Sequence, residues 1–134
     1  MAARLRHLLE ESEESARMGV FAEDYSGVVI LGGTNDLGAS ELPLTLWQHL
    51  KYMYDLVLER ETKFLVVVTI PQLGTSFATI NEGRAIVNTK IREYAASQKN
   101  RRVALVDLEK LIPHASGEEV VKSRKKKRRL SGQR

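Results

Sequence analysis

Hydrophobic positions along the chain follow two kinds of pattern, and their alternation predicts the order of the secondary structure. Apolar residues recur at helical spacing in three segments, which predicts helices over 3–18, 41–62 and 81–97. Three other segments are short apolar runs without alternation, which predicts strands buried on both faces over 28–31, 63–71 and 101–108. Helices that alternate with such strands are typical of a parallel sheet with right-handed crossovers. The pattern therefore predicts an α/β fold with a small parallel sheet.

Local signals mark where several of these elements begin and end. Pro43 suits the first turn of a helix, which we expect to run for about four turns. Pro71 stops the second apolar run, and Asn81 is the expected N-cap of a third helix that ends near Ser97. The inward-facing positions of that third helix are predicted to be Val87, Ile91, Tyr94 and Ala95.

The first apolar run leads directly into a polar turn, which is the main candidate for chemistry. In the sequence VVILGGTNDLG, the predicted strand is followed by Gly33, Thr34, Asn35 and Asp36. In parallel α/β sheets, ligands bind beyond the carboxyl ends of the strands, and this turn lies at that edge. Asn35 offers a neutral amide with two N–H donors, which is the kind of group that stabilises an oxyanion.

Two interpretations of this turn are open from spacing alone. Gly, Asn and Asp are common in ordinary turns and helix caps, and they also suit a ligand-binding turn with an oxyanion donor. The segment GGTNDLG matches neither the phosphate-binding loop G-x-x-x-x-G-K-[ST] nor the dinucleotide loop G-x-G-x-x-G. The segment GTSFA lacks the second glycine of a nucleophile elbow, so Ser76 is not expected to be a nucleophile.

The segment Gly33–Asp36 resembles block III of the SGNH (GDSL-type) hydrolase family, whose motif is G-x-N-D. Three later segments, VVVTIPQLG, NEGRAIVNTKIREYAA and RRVALVDLEKLIPH, resemble the second half of that family's domain in the same order. The pair Arg84 and Asn88 on the third helix and the strand that ends in Val-Asp-Leu are part of this likeness. The resemblance covers about residues 3–114.

The resemblance implies a three-layer α/β/α, flavodoxin-like domain that hydrolyses carboxylic esters by acyl transfer from a serine to water. In that family, the asparagine of G-x-N-D donates to the oxyanion. Asn35 is therefore the expected catalytic oxyanion donor, and the expected substrate-binding turn around it consists of Gly33, Thr34 and Asp36. The expected ligand is a small-molecule ester, and neither a metal nor a cofactor is expected.

The sequence departs from the family at the residues that perform the chemistry. It contains no Gly-Asp-Ser nucleophile motif and no Asp-x-x-His motif. The resemblance begins after the family's first two blocks and ends before its fifth, so the expected fold is truncated, with three of about five strands. A truncated gene model, a splice variant and a decayed copy all fit this pattern. The expectation is an incomplete and inactive esterase domain, and whether the chain is an enzyme stays open.

The three histidines offer little substitute for the missing base. His7 lies on a charged helix and His49 lies at the rim of the second helix, where both are expected to be solvated. His114 follows the third strand closely enough for a pair with Asp107 to be considered. Proximity in sequence does not establish the geometry of a catalytic pair, so a loop histidine is the favoured interpretation.

Charge divides the chain into two parts. The formal net charge is +4, but residues 122–134 hold eight Lys/Arg and no acid, which leaves 13 of the 21 basic residues against all 17 acidic residues in 1–121. We therefore predict a domain over 1–115 and a basic, disordered tail over 116–134. Nucleic acid is not an expected partner of the domain. The run RKKKRR is either a polyanion-binding or nuclear-import patch or a solvated tail without a selected role.

Several classes of protein are excluded by composition. The chain has no cysteine, which excludes disulfides, thiolate catalysis and cysteine-ligated zinc. No apolar run approaches the ~18 residues that a membrane span needs, and the first residues lack the apolar centre of a signal peptide. We therefore expect no membrane span, and the cytoplasm is the default compartment.

An exposed sheet edge is the last expectation. In the family that the chain resembles, the serine-bearing strand lies beside the G-x-N-D strand, so 28–31 is expected to be an unpaired apolar edge. Self-association or marginal stability follows from such an edge. The alternative function is a non-catalytic binding or regulatory fragment that uses the ligand edge, the sheet edge or the basic tail. A different α/β family with a similar strand-end turn is a third interpretation.

Overall fold

The computed structural model describes residues 3, 5–6, 25–61, 63–72, 77–99, 102–112 and 132. Within these residues, three strands form one parallel sheet in the order β1-β2-β3: β1 (Gly27–Ile30), β2 (Phe64–Val68) and β3 (Val103–Val106). The helices among them are α1 (Thr34–Gly38), α2 (Pro43–Leu58), α3 (Ala78–Ser97) and α4 (Leu108–Leu111). The prediction of an α/β fold with a small parallel sheet is therefore confirmed.

The hydrophobic core lies on one face of this sheet. Strand register places Val67 of β2 between Ile30 of β1 and Leu105 of β3. On this face Leu65 and Val67 are fully buried, and the helices cover them with the buried residues Leu50, Tyr54 and Val57 of α2 and Val87 and Ile91 of α3. Burial of each such aliphatic side chain contributes about 1.5–3 kcal/mol, so this face holds α2 and α3 against the sheet.

The opposite face of the sheet is apolar but much more exposed. Val29, Phe64 and Val106 alternate with the core-facing residues and are 67%, 57% and 37% exposed. Parallel sheets ordinarily have both faces covered, and the sequence predicted strands buried on both faces. The structure differs in part: Val29 and Phe64 are exposed although Val68 on the same face is buried, and the sheet residues of the core cluster, among the residues described, all lie on the other face.

The helix ends agree with the sequence signals in part. Helix α2 begins at Pro43 and spans 16 residues, and α3 ends at Ser97, both as predicted. The prediction that Asn81 caps α3 is wrong, because α3 begins at Ala78 and Phe77 is its N-cap. Asn81 Oδ1 instead accepts a hydrogen bond of 2.7 Å from Arg84 Nη1, one turn further along the helix.

The N-terminal helix and the basic tail fall largely outside the described residues. Ala3, Leu5 and Arg6 are helical as predicted; Leu5 packs against the core, and Arg6 lies over the ring of Tyr52 and donates to its hydroxyl. The remainder of the predicted helix and the run RKKKRR lie outside the described residues. None of the helices in the described part of the chain combines the length and apolar character needed to cross a membrane.

Candidate functional site

A tight turn at Gly33 carries the chain from β1 into α1. Gly33 has a φ of +101°, a backbone conformation that residues with a side chain rarely adopt. A Cβ at this position would also lie 2.9 Å from Ile70 Cδ1 and 3.1 Å from Leu46 Cδ2. The backbone angle therefore favours glycine strongly at this position, and a Cβ would in addition displace these two methyl groups of the core.

The short helix α1 is anchored by one buried side chain. Leu37 is 3% exposed and packs against α3 at Gly83, where a Cβ would approach Leu37 Cδ2 to 3.1 Å. The Leu37 N–H donates to the Gly33 carbonyl at 3.0 Å, which closes the first turn. Residues two apart on a helix point in roughly opposite directions. Because the Leu37 side chain points into the core, the Asn35 side chain points toward the outer side of α1.

Asn35 lies exposed at the carboxyl end of β1, at the sheet edge where the sequence predicted it. Its side chain does not cap α1, and among the described residues none hydrogen-bonds to its amide. The two N–H donors are therefore available to a ligand. Its role as an oxyanion donor stays a prediction, because no ligand is present.

The four predicted site residues surround one shallow depression. Leu31 to Asp36 line a cavity of about 170 Å³, with Thr34 and Asp36 half-buried on either side of Asn35. The segment that the sequence predicted to be a polar turn forms the short helix α1, which gives these side chains a fixed arrangement. The structure therefore brings Gly33, Thr34, Asn35 and Asp36 together.

The neighbouring strand end is fixed by a buried amide. Asn88 of α3 is fully buried, and its Oδ1 accepts from the Ile70 N–H at 2.7 Å while its Nδ2 donates to the Ile70 carbonyl at 2.9 Å. Nδ2 also donates to Glu109 Oε2 at 2.8 Å. Asn88 thus satisfies the backbone of Ile70, which in turn packs beneath Gly33.

Three ion pairs join α3 to the residues that follow β3, and one of them is Arg92 Nη2 with Glu109 Oε1 at 3.0 Å. Arg92 binds both oxygens of Asp107, with Nε–Oδ2 and Nη2–Oδ1 distances of 2.8 and 2.9 Å. Arg84 Nε donates to Glu109 Oε2 at 2.9 Å, and only 9% of the Arg84 side chain is exposed. The Thr69 hydroxyl at the end of β2 donates to Asp107 and accepts from the Glu109 N–H, at 3.1 and 3.0 Å. This polar cluster, Thr69, Arg84, Asn88, Arg92, Asp107 and Glu109, ties the strand ends to α3.

The ion pairs shift the titration of the acids involved. Hydrogen bonds from Arg92 lower the pKa of Asp107 to about 2, against a smaller opposing effect of burial. Burial opposes ionisation of Glu109, but the hydrogen bonds from Arg92, Arg84 and Asn88 outweigh it and lower its pKa. The hydrogen bond to Asp107 raises the pKa of Arg92 above its ordinary value. These groups are therefore charged at neutral pH and hold one another in place.

Stability should fall in acid as this cluster is protonated. A folded-state pKa of about 2 against an ordinary value of 3.8 for Asp107 stabilises the fold above pH 3.8, and that stabilisation is lost as the pH falls toward 2. The shift corresponds to about 2 kcal/mol, which solvent screening of this partly exposed pair reduces to about 1 kcal/mol. Urea unfolding at pH 7, 5 and 3 should show Asp107→Asn to be less stable at pH 7 and less sensitive to acid. Equal pH dependence in wild type and Asp107→Asn would contradict this, and Glu93→Gln is the control.

The sequence analysis did not predict that this polar cluster would join the strand ends to α3. Arg84 and Asn88 were noticed only through the family resemblance, but both occupy inward positions of α3 in line with Val87 and Ile91. A polar residue in the apolar stripe of a helix is a signal that it meets a buried polar partner. That signal could have predicted a buried Asn88, although not that its partner would be the backbone of Ile70.

Among the residues that the structure describes, those considered as a base form no catalytic arrangement. His49 is exposed on α2 as predicted, with Nδ1 3.2 Å from Glu41 Oε1. Asp107 is occupied by Arg92, and the candidates His7, Ser76 and His114 lie outside the described residues.

Comparisons with family models, with curated proteins and with solved structures found no match to this chain.

Proposed function

We propose that this chain is part of an SGNH-type carboxylic ester hydrolase in which Asn35 donates to the oxyanion of the tetrahedral intermediate. One observation carries the proposal: an exposed amide without a described partner stands at the carboxyl end of a parallel strand. The G-x-N-D motif and the three later segments that resemble the family in order support it.

The geometry suits the chemistry of an oxyanion donor. Asn35 is neutral, so it stabilises charge that develops in the transition state without binding anions strongly in the ground state. The turn at Gly33 and the buried Leu37 hold its backbone in place, so little reorganisation is needed when the charge appears. In an assembled active site, loss of one such donor lowers kcat by about 10²–10³-fold.

The chain by itself is proposed to lack turnover. Its sequence contains neither a Gly-Asp-Ser motif nor an Asp-x-x-His motif, so the proposed donor has no nucleophile or base of the family's type beside it. The proposed contribution of this chain is therefore the oxyanion side of the site and the parallel strands that carry it.

The test is whether a tetrahedral anion binds through Asn35. Titration with methylphosphonate should shift the side-chain amide signals of Asn35 saturably, and Asn35→Ala should weaken binding about tenfold or more, since a hydrogen bond to a charged group contributes about 1.5–3 kcal/mol. Gln48→Ala, which removes another exposed amide, should change nothing. Binding unchanged in Asn35→Ala would contradict the donor role. Saturable hydrolysis of a short nitrophenyl ester, lost in Asn35→Ala, would contradict the absence of turnover.

A second candidate function is binding without catalysis, through the edge of the sheet. Within the described residues β1 pairs only with β2, so its outer backbone groups are unpaired, and Val29 and Leu31 beside them are 67% and 49% exposed. An apolar strand edge of this kind is a template for pairing with another strand. A two-fold pair of β1 strands would make a six-stranded sheet, which is close to the average size.

Self-association through β1 should be sensitive to charge. Val29→Lys should shift the protein toward the monomer in sedimentation velocity, because a lysine at a strand edge disfavours pairing of edges. Ile86→Lys, on the exposed side of α3, is the matched control and should leave the distribution unchanged. A wild-type protein that stays monomeric at all concentrations would remove this candidate.

A further inference from the structure

A larger cavity adjoins the Gly33 turn and is not used by the proposed oxyanion site. Its volume is about 360 Å³, within the range of small-molecule pockets. It lies between the turn and α2, with Asp36 and His49 among its polar lining residues and Leu46, Leu50 and Met53 among its apolar ones. A cavity of this size, lined by both polar and apolar residues, fits an amphipathic ligand.

The apolar wall consists of core side chains of α2. Leu46, Leu50 and Met53 are 2%, 1% and 5% exposed, so they are held by packing and form the buried floor of the cavity. An apolar group that enters the cavity would lose its contact with water against these side chains. The methionine is well suited to such contacts, because its side chain adapts to the shape of what it touches.

Among the described residues that line this cavity, Asp36 carries an uncompensated charge, and that charge is negative. Among the described residues, none forms an ion pair or hydrogen bond with the Asp36 carboxylate, which is half-buried. The other carboxylate nearby, Glu41, already faces His49 Nδ1 at 3.2 Å. The guanidinium of Arg6 is engaged by the ring and hydroxyl of Tyr52. A cationic head group placed at Asp36 is therefore attracted to it, whereas an anionic one at the same place is repelled. Methylphosphonate, which is proposed to accept from Asn35 in the adjoining depression, is expected to bind only weakly for the same reason.

We propose that this cavity binds small amphipathic amines, with the ammonium group at Asp36 and the apolar body against Leu46, Leu50 and Met53. The proposal stands on the cavity, its apolar wall and the unpaired carboxylate, and it does not depend on the ester-hydrolase function. Asp36 and Gly33 border both cavities, so an amine bound here would lie beside the turn that presents Asn35.

The probe is n-hexylammonium, compared at pH 8 with hexanol and hexanoate, which share its chain but differ in charge. The chain contains three methionines, so the ε-methyl signal of Met53 in the labelled full-length protein reports on the cavity. Hexylammonium should shift this signal saturably, hexanol should bind about fivefold more weakly, and hexanoate should be weaker still, as expected for loss of one partly exposed ion pair. Hexanoate binding as tightly as hexylammonium, or no saturable shift with any of the three, would overturn the proposal.

A variant without the charge of Asp36 distinguishes the contribution of the ion pair from that of the intact cavity. Asp36→Asn should weaken hexylammonium binding about fivefold and leave hexanol binding unchanged, and the unchanged hexanol binding shows that the cavity is intact. Glu93→Gln, an exposed acid on α3, should leave both affinities unchanged. Equal affinity of wild type and Asp36→Asn for hexylammonium would overturn the assignment, whatever the outcome of the methylphosphonate titration.

Discussion

Gly33→Ala should destabilise the protein by about 2–6 kcal/mol. The positive φ of Gly33 costs a residue with a side chain about 1–3 kcal/mol, and the clash of the new Cβ with Ile70 and Leu46 adds about 1–3 kcal/mol of overpacking. Domains of this size have a free energy of unfolding of about 5–15 kcal/mol, so the loss is a large fraction of the total. Urea unfolding monitored by Trp47 fluorescence measures it.

Gly38→Ala is the matched control for this prediction. Gly38 lies at the end of α1, its φ is not in the left-handed region, and a Cβ there would meet no atom within 4 Å. Alanine at a glycine position whose backbone angles suit it stabilises the folded protein by about 0.4–1 kcal/mol, because it lowers the conformational entropy of the unfolded chain. The two substitutions, five residues apart, should therefore have opposite signs. Similar effects at both positions would contradict the geometry of the turn.

Asn88→Ala should destabilise the protein by about 2–6 kcal/mol. It leaves the N–H and the carbonyl of Ile70 buried without their partner, and each such group costs about 1–3 kcal/mol. It also removes one hydrogen bond to Glu109 and leaves a small void in a fully buried position. The free energy of unfolding in urea measures the loss.

Two further substitutions make the test of Asn88 specific. Thr89→Ala removes an exposed hydroxyl that bonds only within α3, at 2.9 Å from the Ala85 carbonyl, and should have little effect. Asn88→Asp keeps the acceptor for the Ile70 N–H but turns an oxygen toward the Ile70 carbonyl and Glu109, so it should destabilise at least as much as alanine. An Asn88→Asp protein as stable as wild type would contradict the assigned hydrogen bonds.

The clamp by Asn88 and the turn at Gly33 belong to one arrangement. Asn88 holds the backbone of Ile70, and the Ile70 side chain packs beneath Gly33, whose turn leads to Asn35. Helix α3 therefore helps to position the proposed oxyanion donor: Asn88 fixes Ile70, and Ile70 supports the turn at Gly33 that precedes Asn35. Substitutions at Asn88 should disturb the environment of Asn35, although the two side chains do not hydrogen-bond to each other.

The order of the elements could be predicted because each depends on local patterns. The apolar runs at 28–31 and 63–71 and the helical repeat around Leu50 produce strands and a helix close to where they were expected. The position of Asn35 at the sheet edge followed from the general rule for parallel strands. These features require only neighbouring residues and the topology of the chain.

Other features depend on residues that are far apart in sequence. Asn81 has the composition of a helix cap, but Arg84 takes its side-chain oxygen, and Arg84 is itself fixed by Glu109, 25 residues later. The exposed face of the sheet could not be predicted either, since Val29 and Phe64 have the same apolar character as their buried neighbours. The role of Asn81 and the exposure of this face of the sheet are both decided by contacts between residues far apart in sequence, not by local propensity.

The availability of the Asn35 amide can be measured against that of the Asn88 amide in the same protein. Hydrogen exchange of the Nδ2 protons, measured by NMR, should be fast for Asn35, at the rate of a solvated amide, and strongly protected for Asn88. This result would show that the amide at the end of β1 is available to a ligand. Protection of Asn35 comparable to that of Asn88 would mean that its donors are already used, and the proposed oxyanion site would then be wrong.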